Sequence, residues 1–150
     1  PAAETASAPN MFGDPQGDPS AVSIAGNAIG LNETDQKAAL QDYLTTGGQN
    51  LDPETTAWCA AFVNATLKQA GKAGTGKLTA RSFLDWGRPV STPQPGDIGV
   101  LPRGNEPWMG HTGFVDRVEG DNVFMISGNE GNAVRRTAYP INDCLGYRRG

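Results

Sequence analysis

Two side chains of this sequence could do nucleophilic chemistry together: a thiol, Cys59, and the only imidazole, His111. Cys59 stands near the start of WCAAFVNATLKQAG, a stretch with helical spacing. Cys59, Phe62, Val63, Leu67 and Ala70 fall on one helical face. A helix start carries positive partial charge, which favours a thiolate. His111 opens a run with strand character, HTGFVDRVE. A nucleophilic cysteine needs a base within hydrogen-bond reach, about 2.6–3.2 Å, and a third group to orient that base. The segment ISGNEGN offers Asn129, Glu130 and Asn132 at the end of the following strand. A two-residue turn at Gly120-Asp121 would set Glu130 opposite His111, and a three-residue turn would set Asn129 there. Spacing leaves that one-residue choice open. Taken singly, each residue also has a structural reading, as buried core thiol or satisfied histidine.

The elements that must position these groups are legible in outline. TDQKAALQDYL reads as a helix to about Leu44, capped by Asn32 or Thr34, with Leu40, Tyr43 and Leu44 as its apolar stripe. Thr55 or Thr56 is the expected cap of the Cys59 helix, and Gly71 its stop. A short third helix is expected from Thr79 to Trp86. After Pro89, Pro93, Pro95 and Gly96 the pattern changes to short strands: DIGVLP, HTGFVDRVE, NVFMIS, AVRRTAY and LGYRR. His111, Gly113 and Val115 share one face, and the small ones would admit a closely packed helix. Helices first and antiparallel strands second predict an α+β fold, with N-terminal helices packed on a small antiparallel sheet. Residues 1–28, rich in Pro, Gly and Ala, read as a flexible tail or linker, and 29–150 as the domain. Gly74-Thr75-Gly76-Lys77 lacks the full phosphate-loop pattern and is expected to be a connecting loop.

Composition removes several classes. The chain has 150 residues, and the prior for that length is one domain. It carries a net charge of −4, against a nucleic-acid partner. The acids concentrate early: six against one base in the first fifty residues, ten against eleven bases in the rest. One histidine and two cysteines exclude zinc sites built on several such ligands, and no cofactor is called for. No apolar run is long enough to span a membrane. The start at Pro1, with no signal peptide visible, reads as that of a processed or excised piece. Cys144 is expected to be a core thiol, unpaired with Cys59.

WCAAFVNATLKQAG, ARSFLDWG, PQPGDIGVL, GHTGFV, SGNEGNAV and LGYRR, in this order, resemble the NlpC/P60–CHAP superfamily of cysteine peptidases, most of all its phage and prophage cell-wall hydrolase branch. The resemblance covers about residues 29–150. It implies a papain-like fold and hydrolysis of an amide bond in the peptide stem or cross-bridge of bacterial peptidoglycan. It implies Cys59 as nucleophile, His111 as base and Asn129, over Glu130, as orienting residue. Trp58 and Trp108 are expected to line the substrate groove, and Arg81, Arg103 and Arg117 are candidates for stem carboxylates. Action at the wall or periplasm follows, with virion or tail proteins as possible partners of the N-terminal segment. A catalytically idle wall-binding or virion module, and a toxin amidase or other thiol enzyme on the same fold, are the rival readings. Two features bear on the bond cut: Trp58-Cys59-Ala60-Ala61 stands where Asp-Cys-Ser-Gly is usual in diaminopimelate-directed relatives, and Gly-Asn-Glu-Gly-Asn occupies the place of the Glu-x-Asn usual in CHAP relatives.

Overall fold

The computed structural model describes residues 18–150. The rest of the expected tail, with Met11 and Phe12, lies outside the described residues. Three helices come first: α1 (Pro19–Asn27), α2 (Lys37–Thr45) and α3 (Cys59–Gln69). A 3₁₀ segment, Ala80–Asp85, stands where the third helix of the sequence reading was expected. Six strands follow: β1 (Arg88–Val90), β2 (Ile98–Pro102), β3 (Gly110–Glu119), β4 (Asn122–Glu130), β5 (Ala133–Pro140) and β6 (Gly146–Arg149). They form one antiparallel sheet in the order β1-β6-β2-β3-β4-β5. The architecture is α+β, as the order of elements predicts.

The N-terminal boundary differs from the expectation of a tail to residue 28. Asp18 caps α1 by accepting from the backbone N–H groups of Ser20 and Ala21, and Pro19 fits the first turn. Ala21 and Ala25 are fully buried in the main core. The folded unit therefore includes residues 18–28. The sequence signal was weak because α1 buries alanines, whose small side chains allow close approach but form no conspicuous stripe.

Caps also differ. Asn32 Oδ1 accepts from the N–H groups of Thr34 and Asp35, an Asx-type turn that delays α2 until Lys37. Thr55 and Thr56 turn back onto the carbonyl of Asp52, so Trp58 takes the N-cap position of α3 without a side-chain cap. Every residue of α3 from Cys59 to Leu67 is buried. This helix is thus enclosed on all sides, by α1, α2 and the sheet, rather than buried along one stripe.

The sheet has two apolar faces. Ile98, Val100, Phe114, Ile126 and Val134 meet the helices. Leu101, Val115, Val123, Met125 and Tyr147 make a second cluster on the other face. His111 pairs with Leu101, which places it on that second face. Gly113 and Val115 therefore do not receive a helix, contrary to the sequence reading. Gly113 instead makes room for β4, since a Cβ there would lie 2.6 Å from that of Ser127. The C-terminal strand is locked by a buried ion pair: Arg149 Nε and Nη2 reach the two carboxylate oxygens of Asp97 at 2.6 and 2.7 Å.

Candidate active site

The fold brings Cys59 and His111 together from opposite layers. Cys59 is the first residue of α3. The helix start is pressed close to β4 at Gly128, where a Cβ would lie 2.6 Å from the Trp58 ring. Trp58 is held from its other edge, its indole N–H donating to Glu33 Oε1 at 3.0 Å. His111 comes from the start of β3 and is fully buried. Just ahead of it, Arg81 Nε donates to the carbonyl of Met109 at 2.6 Å and fixes the approach to the strand.

The imidazole has a different partner on each side. Its Nε2 lies 2.8 Å from Ser127 Oγ and 3.0 Å from Glu130 Oε2. A carboxylate only accepts, so Nε2 carries the proton and donates. Nδ1 is buried and makes no hydrogen bond, which leaves it as the ring nitrogen free to serve the neighbouring Cys59 thiol. Burial alone would push the thiol pKa up. The His111 imidazole, first, and then the backbone N–H of Thr112 and the nearby Arg103 outweigh it and hold Cys59 below its ordinary value. Burial would likewise push His111 down, but Cys59 and Glu130 raise it above the ordinary imidazole value. Opposed shifts of this kind favour a thiolate–imidazolium pair.

The side chain that meets the imidazole on its Nε2 side is Glu130, not Asn129. Three donors converge on its Oε2: His111 Nε2, the Tyr139 hydroxyl and, at 3.5 Å, Arg103 Nη2. The His111 hydrogen bond, first, and then the Tyr139 and Arg103 contributions hold its carboxyl at about 2 against the cost of burial. Asn129, the residue favoured by the family resemblance, goes elsewhere. It lines a shallow pocket of about 200 Å³ with Glu33, Ala57 and Asn132. Two register shifts explain the outcome. Glu119 pairs with Asn122, so the hairpin has the two-residue turn Gly120-Asp121. A bulge at Asp116 then resets the register to Phe114 opposite Ile126, which would bring Asn129 level with His111. A second irregularity between Ser127 and Glu130, with Asn129 at φ 56°, swings Asn129 aside and delivers Glu130.

Cys59 is 6% exposed and lines a cleft of about 260 Å³. Ala57, Leu78, Ala80, Trp108 and Met109 give that cleft a mainly apolar wall, with Arg103 as its cation. Trp108, 62% exposed, lines the cleft. Trp58 does not: it is fully buried, wedged between β4 and Glu33, and supports the helix start rather than touching a substrate. Arg117 is remote from the cleft, paired with Glu119 and lying over the Phe124 ring. Cys59 and Cys144 are both free thiols. The Gly74–Lys77 stretch is a connecting loop whose backbone is held by buried Asn64, which accepts from Thr75 N–H at 2.8 Å and donates to the Lys77 carbonyl at 2.9 Å. Among the described residues no group of His, Cys, Asp and Glu could hold a metal ion, and no helix is long and apolar enough to cross a membrane.

Ser127 and Tyr139 were not visible as site residues in the sequence. Ser127 carries the strand period that His111 sets across the hairpin. Tyr139 arrives from β5, and nothing near it in the chain signals the contact.

Comparison with known proteins gives a family. The model of the CHAP domain matches residues 51–132, more than half of the chain and the stretch that holds Cys59, His111 and Glu130. No curated protein matches. Among solved structures, one titled "The crystal structure of Ly7917" is similar at 16% identity with a TM-score of 0.46, over 85% of this chain. The chain spans 60% of the length of that structure.

Proposed function

From the premise that the chain belongs to the CHAP domain family, whose members are typically peptidoglycan amidases and endopeptidases, we propose a cysteine hydrolase that cuts an amide bond of the peptide stem or cross-bridge. Cys59 is the nucleophile, His111 the general acid and base, and Glu130, rather than Asn129, the residue that orients the imidazole. The observation that carries this reading is one buried imidazole with Glu130 and Ser127 on Nε2 and a Nδ1 left without a hydrogen bond, beside the Cys59 thiol whose pKa it lowers.

The steps follow from that arrangement. The thiolate attacks the scissile carbonyl, and the charge that develops on oxygen falls near the uncapped N–H groups at the start of α3. The imidazolium gives its Nδ1 proton to the leaving amine, and a thioester remains on Cys59. His111 then takes a proton from water as that water attacks the thioester, and the acid product and the thiol are released. Glu130 keeps the Nε2 proton in place throughout. The resemblance of the sequence blocks to phage and prophage hydrolases favours wall digestion during infection or release as the biological setting.

The test is digestion of purified peptidoglycan followed by mass spectrometry of the muropeptides. New amino and carboxyl termini at one bond are expected from the wild type and none from Cys59→Ala. Equal release by a folded Cys59→Ala protein would overturn the assignment and leave a binding or structural module as the reading.

A further inference from the structure

Arginines lie at several points around this site, and most are already engaged. Arg81 is spent on the Met109 carbonyl beneath the cleft, Arg136 on Asp116, and Arg135 on the carbonyl of Glu130. Arg103 is different. It directly follows β2, lines the same cleft as Cys59, and its side chain is 43% exposed. Its one hydrogen bond is the long contact from Nη2 to Glu130 Oε2, at 3.5 Å. That oxygen already accepts from His111 and Tyr139, so Arg103 competes for a crowded acceptor. Nε and Nη1 of the guanidinium have no acceptor among the described residues. A guanidinium presents its N–H groups as a planar fork that matches a carboxylate bidentately. The rest of the wall is apolar, from Leu78, Ala80, Trp108 and Met109, and offers contact to the aliphatic part of a bound peptide.

We propose that Arg103 is a specificity-determining residue that selects a substrate bearing a free carboxylate: an anionic peptide whose carboxylate docks on the open edge of the guanidinium while its aliphatic part lies against Trp108 and Leu78. The proposal rests on the reading of Cys59 as the nucleophile. It adds that the amide cut is flanked, on the cleft side, by an acid group rather than by its amidated form. Wall peptides exist in both forms, so this contact sorts walls by the amidation of their stems.

The test uses two small alkylating reagents of nearly the same shape, iodoacetate and iodoacetamide, on the full chain in a Cys144→Ala background. Their rates on Cys59 depend equally on thiolate content, so the ratio isolates the recognition of negative charge. The wild type should favour the anionic reagent, and Arg103→Gln should lower the iodoacetate-to-iodoacetamide ratio about three- to tenfold, a range corresponding to one partly exposed charge-assisted contact. Arg103→Lys, which keeps the charge, should recover much of it. Hydrolysis of a matched pair of stem peptides, free acid and amide, should show the same loss of preference in Arg103→Gln, mainly in KM. A ratio and a substrate preference unchanged in Arg103→Gln, with Cys59 still reactive, would overturn the role of Arg103 and leave the hydrolase reading intact. A Cys59 inert to both reagents would overturn the hydrolase reading, and this proposal with it.

Discussion

At the scale of single residues, the pH behaviour follows from the two opposed shifts. The competent pair needs the sulfur deprotonated and the imidazole protonated. Activity should therefore rise on the acid side at a pH below the ordinary thiol value of 9.0 and fall on the alkaline side above the ordinary imidazole value of 6.5. Glu130→Gln removes the anion that raises His111. Its alkaline limb should move to lower pH, and kcat/KM should fall about 100-fold or more, the scale of impaired acid–base catalysis. Asn129→Gly separates the two orienting candidates. Glycine accepts φ 56° without strain, so this variant should stay folded and keep most of its activity. A collapse of activity with the fold intact would return the orienting role to Asn129. Glu130 also couples stability to acid. Its carboxyl is held at about 2 in the fold against an ordinary 4.5, so its contribution is complete above 4.5 and is lost as the pH falls toward 2. Chemical denaturation of Glu130→Gln across that window should show a flatter loss than the wild type.

At the scale of elements, the site depends on how closely α3 is set on β4. Gly128→Ala would drive a Cβ to 2.6 Å from the Trp58 ring. The expected cost is about 1–3 kcal/mol, as for other overpacked sites. Activity should fall further than stability alone explains, because the displaced residue adjoins Cys59. Urea melts and rates measured on the same sample check both. Elements were the part of the structure most legible in the sequence. Turn residues and alternating apolar runs located five of the six strands, and helical spacing located α2 and α3. Cys59 and His111 were legible because each is a rare residue at a particular place in its element. Glu130 was legible only as one of two choices, since its position is the net of two bulges, and bulges leave no fixed mark on hydrophobic alternation. Trp58 was misread as a groove residue because an aromatic next to a nucleophile looks the same in sequence whether it faces solvent or the sheet. Helix α1 was missed because its buried face is made of alanine.

At the scale of the whole molecule, a buried ion pair within the sheet and the packing of α1 on the core support the fold. The Asp97–Arg149 pair joins the turn before β2 to the last strand, and both side chains are buried. Removing one partner takes the opposite charge from a buried ion, at a cost of about 3–5 kcal/mol. Asp97→Ala should accordingly lower Tm by on the order of 10 °C in a scanning melt, whereas Arg117→Ala, at the exposed hairpin end, should change it little. A chain begun at Ile29 would lack α1 and expose the surfaces that Ala21 and Ala25 cover. It should melt well below a chain begun at residue 18. The sulfur is carried by the helical layer and the imidazole by the far face of the sheet, with no covalent link between the layers near the site. Turnover is therefore a gauge of how the two slabs are docked. On warming, a population whose ellipticity is still native but whose slabs have slipped by the length of a single bond would already be inert, and inactivation would run ahead of melting.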